Sequence, residues 1–128
     1  MKTTKKDFEL FKSECRKWIK IYGLLNWRVE FEHSDRVDNS RAFCDANYNN
    51  GLATLGLSVD WKHEKTTKER ITVCAFHEVM ELFLARLASV ANTRFVSQDE
   101  VAESTHDIIR TLENVVYPVL GKLSKDLE

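Results

Sequence analysis

Polar and apolar residues alternate along this chain in three distinct rhythms, and each change of rhythm marks a change of element. Over residues 7–22, Phe8, Phe11, Cys15, Trp18, Ile19 and Tyr22 recur at three- and four-residue spacing. That period lines one face of an amphipathic helix, and Gly23 is its predicted stop. The period then drops to two: Trp27, Val29 and Phe31 alternate with Arg28, Glu30 and Glu32, which predicts a half-buried strand. The polar stretch 34–40 reads as a turn. Ala42, Cys44, Ala46 and Tyr48 suggest a second strand, although Phe43 interrupts the alternation. Asn49-Asn50-Gly51 carries hairpin chemistry, because Asn and Gly tolerate positive φ, and residues 52–61 follow as a third strand with Leu55, Leu57 and Val59 on one face.

Helical spacing then returns. Thr66 or Thr67 is placed to cap a helix extending to about residue 91. On a wheel of about 100° per residue, Val73, Phe76, Met80, Phe83 and Leu87 cluster on one side, with Cys74, His77, Glu81, Leu84 and Ala88 in an adjacent stripe. So much apolar surface predicts the most buried helix of the domain. A final helix starts near Gln98 or Asp99, with Val101, Thr105, Ile108, Leu112, Val115 and Val119 as its expected buried stripe. The predicted fold class is α+β: an N-terminal helix, a three-stranded antiparallel meander, a central helix and a closing C-terminal helix.

Composition narrows the functional classes. With 128 residues and 43% hydrophobic content, the chain is expected to form a single domain, 1–128, with a real core. Nineteen basic against 20 acidic residues leave a formal charge of -1. That balance provides no electrostatic footprint for nucleic acid and no basic patch for a membrane surface. No segment reaches the roughly 18–20 apolar residues that span a bilayer, and the basic opening leads into an amphipathic stretch, not a signal-peptide core. Cys15, Cys44 and Cys74 are odd in number and far apart, which fits buried, reduced thiols in a cytosol.

The segment Cys74-Ala75-Phe76-His77-Glu78-Val79-Met80-Glu81-Leu82-Phe83-Leu84 carries the candidate chemistry. Ionisable groups in so apolar a run are costly to bury unless paired or bound to a metal. Four helical residues bring side chains back to within about 40°, so His77 and Glu81 can approach one ion. Imidazole nitrogen and carboxylate oxygen are both ordinary zinc ligands, and Glu78 is placed to act as a general base on water polarised by the metal. His106, on the following helix, ranks first as a third ligand, with Glu103 as its substitute; His33 and His63 lie at strand ends and read as surface histidines. Structural ion pairs compete with this reading, since Glu81 is also placed to pair with Arg86, Arg70 or Arg110. A carboxylate-bridged di-metal centre has partial support in Glu103-Ser104-Thr105-His106, but three strands do not suit the four long helices it needs.

The order of four pieces resembles that of small zincin-like metallopeptidase domains encoded by bacteriophages and prophages. The pieces are Trp27-Arg28-Val29-Glu30-Phe31, Ala53-Thr54-Leu55-Gly56-Leu57-Ser58, His77-Glu78-Val79-Met80-Glu81-Leu82 and His106-Asp107-Ile108-Ile109-Arg110-Thr111-Leu112-Glu113, together covering residues 27–116. The resemblance implies a minimal zincin-like fold, Zn2+ as cofactor, a peptide or protein as substrate or target, and action in a bacterial host cytosol. It makes His77 the first zinc ligand and Glu78 the catalytic base. Glu81 stands where that family's H-E-x-x-H motif has its second histidine, and the third ligand is expected on the closing helix at His106 or Glu103. It further implies that the strand 52–59 is an edge that pairs with extended substrate. The departure at Glu81 leaves a second expectation open: a zincin-shaped protein that binds its target stoichiometrically without cleaving it.

Overall fold

The computed structural model of the chain describes residues 1–126. Helix α1 (Lys5–Ile21) begins at a capping box, in which Thr4 accepts from the Asp7 N–H and the Asp7 carboxylate accepts from the Thr4 N–H. It ends where Gly23 takes φ +67°, a left-handed turn suited to glycine. Strands β1 (Arg28–His33), β2 (Ala42–Asn47) and β3 (Leu52–Leu57) follow. Helix α2 (Lys68–Phe83) is capped by the Thr67 hydroxyl, and then come α3 (Ala85–Ala91), α4 (Gln98–Val115) and α5 (Tyr117–Asp126). The fold is α+β, and among the described residues no helix is long and apolar enough to cross a membrane.

The sheet departs from the expected antiparallel meander. Its order is β1-β3-β2, with β1 parallel to β3 and only β2 antiparallel to it. The hairpin at Asn49-Asn50-Gly51 does form, through a single 3-10 turn at Tyr48–Asn50 and Gly51 at φ +68°. The physical reason for the order lies in polarity. Ala53, Leu55 and Leu57 of β3 are all buried, whereas β1 carries Arg28, Glu30 and Glu32, and β2 carries Asp45 and Asn47. The most apolar strand takes the middle, and the charged strands take the edges, where charge also discourages stray pairing. β3 is therefore no edge; the edges are β1 and β2. β3 also stops at Leu57, short of the expected residue 61, and the chain beyond it is tied down by an isolated bridge between Lys2 and Asp60.

Helices α1 and α2 cover one face of the sheet. Phe11, Leu55, Leu57, Ile71, Val79 and Leu82 form its dry centre. Trp61, at 3% exposure, closes the core beyond β3. The predicted wheel for α2 was turned: the buried stripe is Ile71, Cys74, Ala75, Glu78, Val79 and Leu82, and Val73 is 66% exposed. Phe76 and Phe83 instead face the aromatic flank of α1, Phe76 edge-on to Trp18 at 4.9 Å and Phe83 beside Tyr22 at 5.4 Å. The helix expected to reach residue 91 breaks at Leu84, whose ψ of 2° ends α2 before α3 begins. His33 is not a free surface histidine. It stacks on Phe8 at 4.8 Å and its Nε2 lies 2.7 Å from the Thr3 hydroxyl. That hydroxyl donates its one proton to the Ser58 carbonyl, so His33 Nε2–H is the donor to Thr3.

On the uncovered face of the sheet, the ring of Phe43 lies over Gly56, with the Arg36 guanidinium 3.7 Å from its centroid. A methyl group on Gly56 would overlap that ring. Gly56→Ala is expected to push Phe43 off the sheet and cost about 1–3 kcal/mol in urea unfolding; an unchanged midpoint would show that the ring is not seated there.

Candidate functional site

Three donors converge on α2. The side-chain donor atoms of His77, Glu78 and Glu81 all lie within 4.8 Å of one another. His77 Nε2 is 4.0 Å from Glu81 Oε1, and both side chains are well exposed, 71% and 53%. Glu78 differs from them. One position along a helix turns a side chain by about 100°, which moves Glu78 from the exposed edge of α2 onto its buried stripe, where it is 4% exposed. The site is thus half fixed and half free: a carboxyl group anchored in the core, flanked by an imidazole and a second carboxylate that can rotate.

These donors line one side of a cleft of about 560 Å³ between α2 and the edge strand β2. The opposite wall is built from residues 40–45, including Cys44 and Asp45, and Cys74 lies on the α2 side. Burial, reinforced by a hydrogen bond to Glu81 and by the Glu81 charge, pushes the Glu78 carboxyl up to about 9. At neutral pH Glu78 therefore holds a proton. The thiols are equally unready to ionise. Burial, then the charges of Glu81 and Glu78, push Cys44 up to about 12. Burial also raises Cys74 and Cys15, and the Cys15 thiol donates to the Ala75 carbonyl at 3.9 Å. All three cysteines are free. Such thiols are packing groups, not nucleophiles.

His106 and Glu103 are not in this group. His106 is exposed on α4, and Glu103 is held by Arg86, which also pairs with Asp107. The same pairing occupies Arg86, and the basic side chain beside Glu81 is instead the His77 imidazole, 4.0 Å away. The third donor next to His77 and Glu81 is Glu78 itself. His63 is exposed, as expected of a loop histidine. Cys44, Asp45 and Arg41 line the cleft without having been singled out by their spacing. They lie on or just before β2, and nothing local in the sequence says that β2, not β3, is the edge facing α2.

One imidazole nitrogen and two carboxylate oxygens form a donor set that Zn2+ accepts at about 2.0–2.2 Å. Two ligands at such distances stand at most about 4.2 Å apart. The 4.0 Å separation of His77 and Glu81 falls inside that limit, whereas the group as a whole spreads over up to 4.8 Å; both exposed side chains have room to turn closer. The donor types suit the ion, with His77 and Glu81 as ligands and the buried Glu78 beside them. No family model, no curated protein and no solved structure matches the chain.

The Glu78 proton has a consequence for stability. Its folded-state pKa is raised above the unfolded value of about 4.3, so the folded chain binds more protons than the unfolded one between that value and about 9. Stability of the metal-free protein must fall as pH rises through this window. Glu78→Gln, which keeps shape and loses the charge, is expected to be more stable than wild type at pH 8 by about 1–3 kcal/mol and to lose much of the slope. Urea unfolding at pH 5 and pH 8 in chelator checks this; a less stable Gln variant at pH 8 would contradict it.

Proposed function

We propose that this protein is a zincin-like zinc hydrolase acting on a peptide or protein, with His77 and Glu81 as metal ligands and Glu78 as general base. One observation carries the reading: an imidazole and two carboxyl groups converge within 4.8 Å of one another on a cleft walled by an unpaired strand edge. The order of helix, sheet, motif helix and closing helices, which resembles that of small phage and prophage zincin-like domains, supports it. Three free cysteines are in keeping with a host cytosol, where thiols stay reduced.

Zinc at this position supplies Lewis acidity, which makes water nucleophilic near neutral pH and polarises a peptide carbonyl. The chain's own residues do the rest. The free edge of β2 offers backbone N–H and C=O groups to an extended substrate, holding it along the cleft. His77 and Glu81, both exposed and free to rotate, would hold the cation. Glu78, once deprotonated beside a bound cation, would take a proton from water and return it to the leaving amine. The apolar stripe around Glu78 keeps that carboxylate from wandering and excludes bulk water from its inner side.

A second reading rests on a specific shortfall. With His106 outside the group, only two residues remain as ligands once Glu78 serves as the base, and an anionic Glu81 leaves the ion a poorer Lewis acid than a second imidazole would. The alternative is a catalytically inactive zincin-fold protein that binds a host or phage protein in its cleft stoichiometrically.

Elemental mass spectrometry on untagged protein, joined to a peptidase assay, separates the two. The hydrolase reading expects about one zinc per chain, its loss in His77→Ala, and retention of zinc in Glu78→Gln with hydrolysis reduced at least about 100-fold. Glu78→Gln with undiminished hydrolysis would overturn the mechanism. A protein that takes up no zinc and is recovered in complex with an intact partner would establish the binding reading.

A further inference from the structure

Helix α4 was expected to bury Val101, Leu112 and Val119, yet these are 41%, 39% and 60% exposed, and Ser104 is the one buried residue of α4. The side turned towards the body carries Ser104, Asp107, Ile108 and Thr111. A second apolar stripe lies about 100° round the helix from it. Val101, Thr105, Ile109, Leu112, Val116 and Leu120 follow one another at steps of four, four, three, four and four, the spacing of one helical face. The phase carries across the α4–α5 junction because Val116 keeps right-handed helical backbone, φ -92° and ψ -44°. Pro118 sits in the first turn of α5, where a proline is tolerated. Ile109 and Leu120 are 42% and 55% exposed. The result is an apolar seam about 30 Å long, more continuous than the scattered apolar exposure of ordinary surfaces.

We propose that this seam is the contact surface for a second copy of the chain, packed antiparallel about a twofold axis between Ile109 and Leu112. The steps along the seam read the same in both directions, which is the condition for a surface to be its own partner. In antiparallel register Val101 meets Leu120, Thr105 meets Val116 and Ile109 meets Leu112, and every layer is filled twice. A charge pair agrees with the same register: Glu100 falls beside Lys122 of the partner, repeated by the twofold, and both side chains are exposed. Parallel pairing would instead place the acidic first turn of α4, Asp99 and Glu100, against its own copy. The seam is remote from the α2–β2 cleft in lining residues, so the inference stands apart from the zinc reading.

Sedimentation of the full chain tests it. Wild type at ~100 µM is expected to be a dimer, and Leu112→Glu a monomer with unchanged far-UV circular dichroism; Ile109→Glu is expected to behave alike. Glu100→Lys should weaken dimerisation about tenfold, and Glu100→Lys combined with Lys122→Glu should restore it. A wild-type monomer at every concentration would overturn the proposal. So would a dimer indifferent to both seam substitutions, or a charge-swapped double variant as weak as the single one.

Discussion

The side chain of Glu78 shares a stripe of α2 with Ile71, Cys74, Ala75, Val79 and Leu82, and it is buried as they are. A carboxylate in such surroundings is unstable unless something offsets its lost hydration. Two remedies are open: it takes up a proton, or a cation comes to it. The first is seen in the carboxyl being pushed up to about 9; for the second, two further donors, His77 and Glu81, stand within reach on the exposed edge of the same helix. The neighbouring thiols obey the same rule. Burial holds Cys44 and Cys74 protonated beside the cleft, so neither thiol brings a charge to it.

The sheet gives this arrangement its opening. Because the apolar strand β3 occupies the centre, β2 is left as an edge next to α2, and the cleft between them has a wall of unpaired backbone groups. An antiparallel meander would have put β2 in the middle and closed that edge. Helix α1 serves the site indirectly. Phe11 and Cys15 are wholly buried, and the aromatic contacts of Trp18 and Tyr22 with Phe76 and Phe83 set the rotation of α2 that turns Glu78 inward and His77 outward.

Local signals in the sequence were read well where they rested on local physics. The cap at Thr67 (one of two candidate threonines), the stop at Gly23 and the Asn49-Asn50-Gly51 turn each depend on a few neighbouring residues, and each stands where the pattern put it. The errors fell where tertiary structure decides. The wheel for α2 has apolar residues nearly all round, so its period alone left the inward direction open, and the stripe containing a glutamate proved to be the buried one. No glycine or proline marks the break at Leu84. Strand order depends on which strand is least charged, a comparison among distant segments. His106 ranks first as a third ligand because it lies on the next helix, but where that helix turns its histidine is a tertiary matter: Arg86 pairs with Glu103 and Asp107, and His106 is left exposed. The grouping of His77 with Glu78 and Glu81 was legible because all three lie within one and a half turns of a single helix.

The chemistry of the cleft turns on the state of one proton, and carboxyl-detected carbon NMR reads it directly. With the protein free of metal, the Glu78 side-chain carboxyl should titrate near 9, and saturating zinc should shift that titration below neutrality. A Glu78 carboxyl that titrates near the ordinary value of about 4.3 without metal, or one that zinc leaves unmoved, would contradict the claim that a buried carboxyl waits in this cleft for a cation.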